Sequence, residues 1–181
     1  EPLSSSASSA GSAAAPALRK DGVVLLRNVV VHGPYADKAL TGLLAQTREL
    51  SEKVFDEDCL QEITKKSGWK LSLLVSKDYG VFCGFIVAKV VKGALSIAKV
   101  AVPEHFRGRG FGRLIMDEMI KSAKKQGDVF EVCLSSLPTA VTFYQRLGFK
   151  AHKHVKVAPE DGVELVEGQV FMDKRLQKRR R

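Results

Sequence analysis

Three alternating glycines, in Arg107-Gly108-Arg109-Gly110-Phe111-Gly112, constrain this chain more than any other segment because of what flanks them. Before them lies the apolar, strand-like run Leu95 to Val102, stopped by Pro103. After them, Phe111, Leu114, Ile115, Met119, Ile120 and Ala123 recur at helical spacing. A strand that turns through glycines into a helix leaves the helix's first N–H groups unpaired, at the positive end of its dipole. The expected product is a cradle for a phosphate or pyrophosphate.

The remaining pattern is mixed α/β. Val23 to Val31 reads as the first strand, and His32-Gly33-Pro34-Tyr35 turns the chain. Ala39, Leu40, Leu43, Leu44, Thr47 and Leu50 predict a helix over 37–51, and Phe55 to Lys66 a second one ended by Ser67-Gly68. Leu71 to Val75 and Val81 to Val91 read as strands joined by the hairpin turn Lys77-Asp78-Tyr79-Gly80, and Lys92-Gly93 leads into Leu95 to Val102. Beyond the glycine loop the helix ends at Lys124, Lys125 and Gly127. Val129 to Leu134 is a further strand, and Ser136-Leu137-Pro138 predicts a capped short helix through Tyr144 to Gly148. Phe149 to Val157 and Gln169 to Met172 close the pattern, joined by the acidic loop Pro159 to Glu167. The order is strand, two helices, three strands, helix, strand, helix, two strands, which excludes a strictly alternating doubly wound fold.

A chain of 181 residues suits one well-buried domain, here expected over 18–176. Residues 1–17 are Ser, Ala, Gly and Pro apart from Glu1 and Leu3 and read as a disordered leader. The net charge of +9 suggests a nucleic-acid partner until it is located. Six of the positive charges are Lys174, Arg175, Lys178, Arg179, Arg180 and Arg181, so the basicity belongs mostly to a tail ending in residues 177–181. That tail has no interleaved aromatics, which argues against sequence-specific RNA reading. No apolar run approaches a membrane span. Cys59, Cys83 and Cys133 have no metal-ligand or disulfide spacing, and an odd count points to a reducing intracellular compartment, cytoplasm or nucleus before an organelle. The chain begins at Glu1, so a fragment or a processed product is expected. His152-x-His154 has a two-ligand spacing without an evident third ligand, so no metal is expected.

The glycine loop is not a dinucleotide fingerprint, because Arg113 stands where its third glycine would be, and no P-loop string exists. Coenzyme A, whose pyrophosphate needs neither signature, is the remaining candidate. Ala98-Lys99-Val100-Ala101-Val102-Pro103 followed by Arg107-x-x-Gly110-x-Gly112 and a helix resembles the acyl-CoA motif of the GNAT superfamily of N-acetyltransferases. Downstream, Ala140-Val141-Thr142-Phe143-Tyr144-Gln145-Arg146-Leu147-Gly148-Phe149 resembles that family's A-x-x-x-Y-x-x-x-G-F segment, and the likeness covers residues 22–176.

The resemblance implies a mixed, mostly antiparallel sheet of six or seven strands with about four helices. It would splay between the strand ending at Val102 and the strand Val129 to Leu134. It implies acetyl-CoA as co-substrate and a primary amine as acceptor, a protein amine before a small one, attacked directly in a ternary complex. Val100, Ala101 and Val102 would pair with the pantetheine arm, and Gly108, Arg109, Gly110, Phe111, Gly112 and Arg113 would wrap the pyrophosphate, with Arg107 at the motif's first position. Tyr144 would protonate the leaving thiolate, a step that suits a phenol of pKa about 10.

For the base, the resemblance offers two precedents. Some relatives carry a glutamate where Ser96 stands. Others, like the ribosomal-protein N-terminal acetyltransferases of bacteria, carry an L-E-V segment similar to Phe130-Glu131-Val132, which implies Glu131 as base. Such relatives also have an asparagine where Ser135, Ser136 and Leu137 stand. Water-mediated deprotonation is the open alternative, and the rivals to an enzyme are a non-catalytic acyl-CoA-binding module and a nucleic-acid binder built on Arg107, Arg109, Arg113 and the basic tail. Asp56, Glu57, Asp58 and Glu62 fall on the acceptor-side loop, where steering of a cationic amine and helix capping both account for them.

Overall fold

The structure is a computed structural model that describes residues 19–33, 38–64, 66–126, 129–152 and 168–176. It holds one seven-stranded sheet: β1 (Val23–Val29), β2 (Lys70–Ser76), β3 (Phe82–Val91), β4 (Ala94–Ala101), β5 (Glu131–Ser136), β6 (Lys150–His152) and β7 (Val170–Arg175). The spatial order is β1-β2-β3-β4-β5-β7-β6. Only the β4–β5 pair is parallel, because α3 (Phe111–Lys125) crosses back over the sheet between them. The other helices are α1 (Thr41–Phe55), α2 (Cys59–Glu62) and α4 (Val141–Arg146). The expected element order and the mixed, mostly antiparallel sheet are therefore present. The leader, the whole acidic loop Pro159 to Glu167, His154 and the tail 177–181 lie outside the described residues.

Two apolar layers hold the sheet. On one face, Phe111, Ile115, Met116, Ile120 and Ala123 of α3 pack with Ile86, Leu95, Ile97, Val132, Leu134 and Met172, joined by Tyr144 and Leu147 from α4 and its end. These α3 positions fall at i, i+4, i+5, i+9 and i+12, which is the buried stripe of an amphipathic helix. Each large side chain so buried contributes roughly 1.5–3 kcal/mol. On the other face, Leu43 and Leu50 of α1 and Leu60 of α2 cover Leu71, Leu73, Val75, Phe85 and Val87. Among the described residues no helix covers this second face over β5, β7 and β6.

Several expected boundaries move. β5 runs Glu131–Ser136 rather than Val129 to Leu134, because Val129 is a core residue of the loop and Ser136 still pairs with Val170. Ser136 is therefore a strand residue and not a helix cap; its Oγ donates to the Leu137 carbonyl, and a 3-10 turn (Pro138–Ala140) leads into α4. α1 continues to Phe55 and closes on Asp56 in the left-handed region, so the second helix shrinks to the four residues of α2. There the Asp58 carboxylate accepts from the Leu60 N–H and caps α2. No helix among the described residues is long and apolar enough to cross a membrane.

Gly84 fixes how closely β3 and β4 approach. Its φ is +146°, and a Cβ there would meet the Ala101 carbonyl oxygen at 2.5 Å. That oxygen is backbone and cannot swing away. Gly84→Ala should cost about 2–3 kcal/mol, lowering Tm by roughly 4–12 °C. A thermal melt with Tm unchanged would show that β4 tolerates displacement there.

Candidate active site

The β4–β5 ladder stops before either strand does. Its register runs Ala94–Glu131, Leu95–Val132, Ser96–Cys133 and Ile97–Leu134, and ends there. β4 nevertheless continues to Ala101 along β3, and β5 to Ser136 along β7. The cause is local. Val87 pairs with Lys99 and Ala88 with Ile97, so Ala98 is an extra residue, a β-bulge. A bulge bends its strand and raises its twist. It also reverses the alternation of side chains. Before it, Leu95 and Ile97 enter the α3–α4 core; after it, Ala101 enters the α1–α2 core while Val100 and Val102 pack on the α3–α4 side. The edges of Ala98–Ala101 and of Ser135–Ser136 so face an opening, as the splay expected at Val102 required.

The glycine loop stands at the α3–α4 mouth of this opening. Phe106, buried in a 3-10 turn (Glu104–Phe106), anchors its start, and the Arg107 Nε–H donates to the Val102 carbonyl at 3.2 Å. Gly110 is the N-cap of α3 with φ +83°, and it has no side-chain cap. The first i to i−4 bond of α3 is Leu114 N–H to Gly110 O at 3.1 Å, which leaves the Phe111, Gly112 and Arg113 N–H groups as the helix's orphan donors. A Cβ on Gly110 would sit 2.5 Å from Lys20 Nζ, so a cation rests directly on the loop. Arg109 lies over the rings of Phe106 and Phe111 at 5.3 and 5.8 Å, while Arg113 pairs with Asp117 at 3.5 Å. Arg19, Lys20, Asp21, Arg109 and Phe111 line a cavity of about 550 Å³ beside the loop. The Phe111 side chain itself is core.

Tyr144 reaches the same side from α4. Its neighbour Phe143 packs on the first turn of α3, 3.3 Å from where a Gly112 Cβ would be. Gly112 thus serves the seating of α4 as well as open access to the backbone. The Tyr144 ring is buried, edge-on to Phe143 and Phe149 at 5.0 and 5.7 Å, and burial pushes its phenol up to about 12. It is therefore a phenol, not a phenolate, at any physiological pH.

The opposite face carries the charges. Lys99, turned there by the bulge, is buried between Glu57 at 2.8 Å and Glu62 at 2.6 Å. Its hydrogen bond holds the Glu57 carboxyl below its ordinary value, while Lys99 is raised because the two carboxylates outweigh the cost of burial. Asp58 instead pairs with Arg48 at 2.9 Å and caps α2. The acidic segment was legible in the sequence, but its lysine was not; the available signal was one charge inside the apolar run Ala98 to Val102. Burial pushes the Cys59 and Cys83 thiols up to about 11, so neither is a thiolate.

Glu131 shares this face with Cys133 and Ser135, but it opens β5 opposite Ala94, at the closed end of the β4–β5 pair. Three residues of strand, about 10 Å, separate it from Leu134, where the pair parts. Burial and a hydrogen bond with Asp173 raise its carboxyl. The structure thus brings Val100–Val102, the glycine loop and Tyr144 together and keeps Glu131 apart from them.

This geometry agrees with known proteins. Residues 31–170 match the family model of the acetyltransferase (GNAT) domain. The fold is similar to a GNAT-family acetyltransferase of Staphylococcus aureus Mu50, at 16% identity over 86% of this chain and 99% of that one, with a TM-score of 0.64. It is similar to Tetrahymena GCN5, at 14% identity over 86% and 96% of the two chains and a TM-score of 0.66. It also resembles the PaiA N-acetyltransferase of Thermoplasma acidophilum solved with coenzyme A, at 15% identity over 85% and 99%, TM-score 0.57. The strand opening, its glycine loop and the matched family model together establish that this chain belongs to the GNAT family of acetyl-CoA-dependent N-acetyltransferases.

Proposed function

We propose that the protein transfers the acetyl group of acetyl-CoA to a primary amine of a cationic protein acceptor, by direct attack within a ternary complex. The observation that carries this reading is the two-sided opening beyond Ile97 and Leu134. The loop and Tyr144 occupy its α3–α4 side, which leaves the amine the opposite side. That side continues into the polar face of β5, β7 and β6, open among the described residues and broad enough for an extended peptide.

In this reading the N–H groups of Phe111, Gly112 and Arg113 hold the pyrophosphate, and Arg107, Gly108, Arg109 and Gly110 shape the turn around it. The backbone of Val100, Ala101 and Val102 pairs with the pantetheine arm as a strand would. A main-chain N–H of Val100 or Val102 polarises the thioester carbonyl. The uncharged amine attacks, the C–N bond forms, the C–S bond breaks, and Tyr144 gives its proton to the thiolate. Glu57 and Glu62 exceed the charge of Lys99 by one, so they present a net negative rim to a cationic acceptor.

The direct test is thiol release from acetyl-CoA with basic peptides and polyamines as acceptors. Transfer to peptides is expected; CoA binding without transfer to any amine would make the protein a binding module. Tyr144→Phe should lower kcat about 100-fold or more while leaving the KM for acetyl-CoA near its starting value, and an unchanged kcat would remove Tyr144 as the acid. Gly110→Ala places a side chain in the left-handed region at a cost of roughly 1–2 kcal/mol and against Lys20, so acetyl-CoA affinity by calorimetry should fall about tenfold. Glu57→Gln should raise the KM for a basic peptide at low ionic strength, with kcat kept and the effect fading as salt is added. A salt-independent KM would sink the electrostatic rim.

A further inference from the structure

Resting on the reading that the glycine loop holds the pyrophosphate, we propose that Lys20, in the turn before β1, is a further ligand of that pyrophosphate, brought to the loop from outside the acyl-CoA motif.

The N-terminal end of α3 is crowded with positive charge. Its orphan N–H groups are the positive end of the helix dipole. No acid stands in its first turn, and no side chain caps it. Arg107, Arg109 and Arg113 lie in or beside the loop. Cations are favoured at the other end of a helix, so a further one here is costly unless an anion joins it. Lys20 is that further cation. The 2.5 Å between its Nζ and the Cβ position of Gly110 puts the ammonium at most about 4 Å from the Gly110 Cα.

The lysine's backbone is fixed in this place. Residues Lys20–Gly22 form a 3-10 turn, closed by the Gly22 N–H on the Arg19 carbonyl at 3.0 Å. The Lys77 N–H donates to the Gly22 carbonyl at 3.0 Å and ties the turn to the end of β2. Val23, next along the chain, is buried in the same core as Phe106 and Phe111, which seat the glycine loop. Turn and loop stand on one core, and the lysine side chain crosses from the first to the second. Among the described residues Lys20 has no hydrogen-bond or ion-pair partner. The neighbouring carboxylate, Asp21, pairs with Arg19 at 3.7 Å instead.

The space at this junction suits a phosphate. Of the five side chains lining the cavity of about 550 Å³, Arg19, Lys20 and Arg109 are cations, Asp21 is the anion paired with Arg19, and Phe111 is apolar. The Phe111 nitrogen follows the Gly110 carbonyl carbon directly, so it lies within about 6.5 Å of the ammonium. A phosphate bridges such a gap, with one oxygen about 2.9 Å from the N–H nitrogen and another about 2.8 Å from the ammonium. Coenzyme A also carries a phosphate on its ribose. The N-cap position of Lys20 assigns it to the pyrophosphate, because that is where the orphan N–H groups converge.

The experiment measures, by calorimetry on the full chain, the affinity for CoA and for dephospho-CoA, which lacks only the ribose 3′-phosphate. Lys20→Met should weaken both ligands about tenfold, and the deficit should shrink in high salt. Lys20→Arg, which keeps the charge, should keep most of the affinity. A melt of the unliganded Lys20→Met protein should show no loss of Tm, since the change removes a cation from the positive end of a helix. A loss confined to CoA would move Lys20 to the 3′-phosphate and overturn the assignment, as would wild-type affinities in Lys20→Met. A lowered Tm with affinity kept would mark a structural lysine and overturn it too. Gly110→Ala separates this inference from the reading beneath it. If Gly110→Ala also binds CoA like wild type, the loop does not hold the pyrophosphate and both fall. If it alone weakens CoA, only the role of Lys20 is refuted.

Discussion

One extra residue in β4 organises the functional half of the molecule. Ala98 has no partner in the β3–β4 ladder, and at that point the pairing with β5 ends although both strands run on. A parallel pair that parts inside a sheet leaves backbone groups facing an opening, and buried backbone groups demand partners. The bulge also decides which side chains face which side. It sends Val100 and Val102 toward α3 and α4, and Lys99 toward the acidic end of α1 and α2. In the proposed reading, this single insertion divides the donor side from the acceptor side.

The two sides are held by different physics. On the α3–α4 side, proposed for the donor, the contacts are apolar and close: Phe143 on Gly112, Phe111 in the core, Tyr144 among rings. Such packing transmits small displacements, so the glycine loop and the tyrosine helix are mechanically one unit. On the α1–α2 side, proposed for the acceptor, the contacts are ionic: Lys99 with Glu57 and Glu62, and the Glu131, Asp173 and His152 group on β5, β7 and β6. Lys99 is buried, so removing its partners would strand a charge, which costs far more than losing a surface pair. It locks the α1–α2 segment against β4 while its carboxylates still present negative charge outward.

Much of this was legible in the chain. The strand, glycine loop and helix announced themselves by alternating and helical periodicity, and Tyr144 by its spacing to Gly148-Phe149. What the sequence concealed was long-range register. Nothing local tells that β7 inserts between β5 and β6, so Asp173 as a neighbour of both Cys133 and Lys150 could not be foreseen. The Ala98 bulge is likewise silent, because alanine suits either alternation, and so the burial of Lys99 was hidden with it. Glu131 shows the reverse: its segment resembled a base-bearing strand, yet register sets it opposite Ala94, away from the opening.

The central claim is that the gap beyond Ile97 and Leu134 is the place of acetyl transfer, entered by donor and acceptor from opposite faces. The most direct measurement is a crystal structure with a bisubstrate analogue, coenzyme A joined through an acetyl bridge to a basic peptide amine. The account predicts pantetheine paired to the backbone of Val100–Val102, the bridge beside Tyr144, and the peptide leaving over Ser135, Phe171 and His152. A peptide that leaves on the α3–α4 side, or a pantetheine arm that never enters the gap, would contradict it.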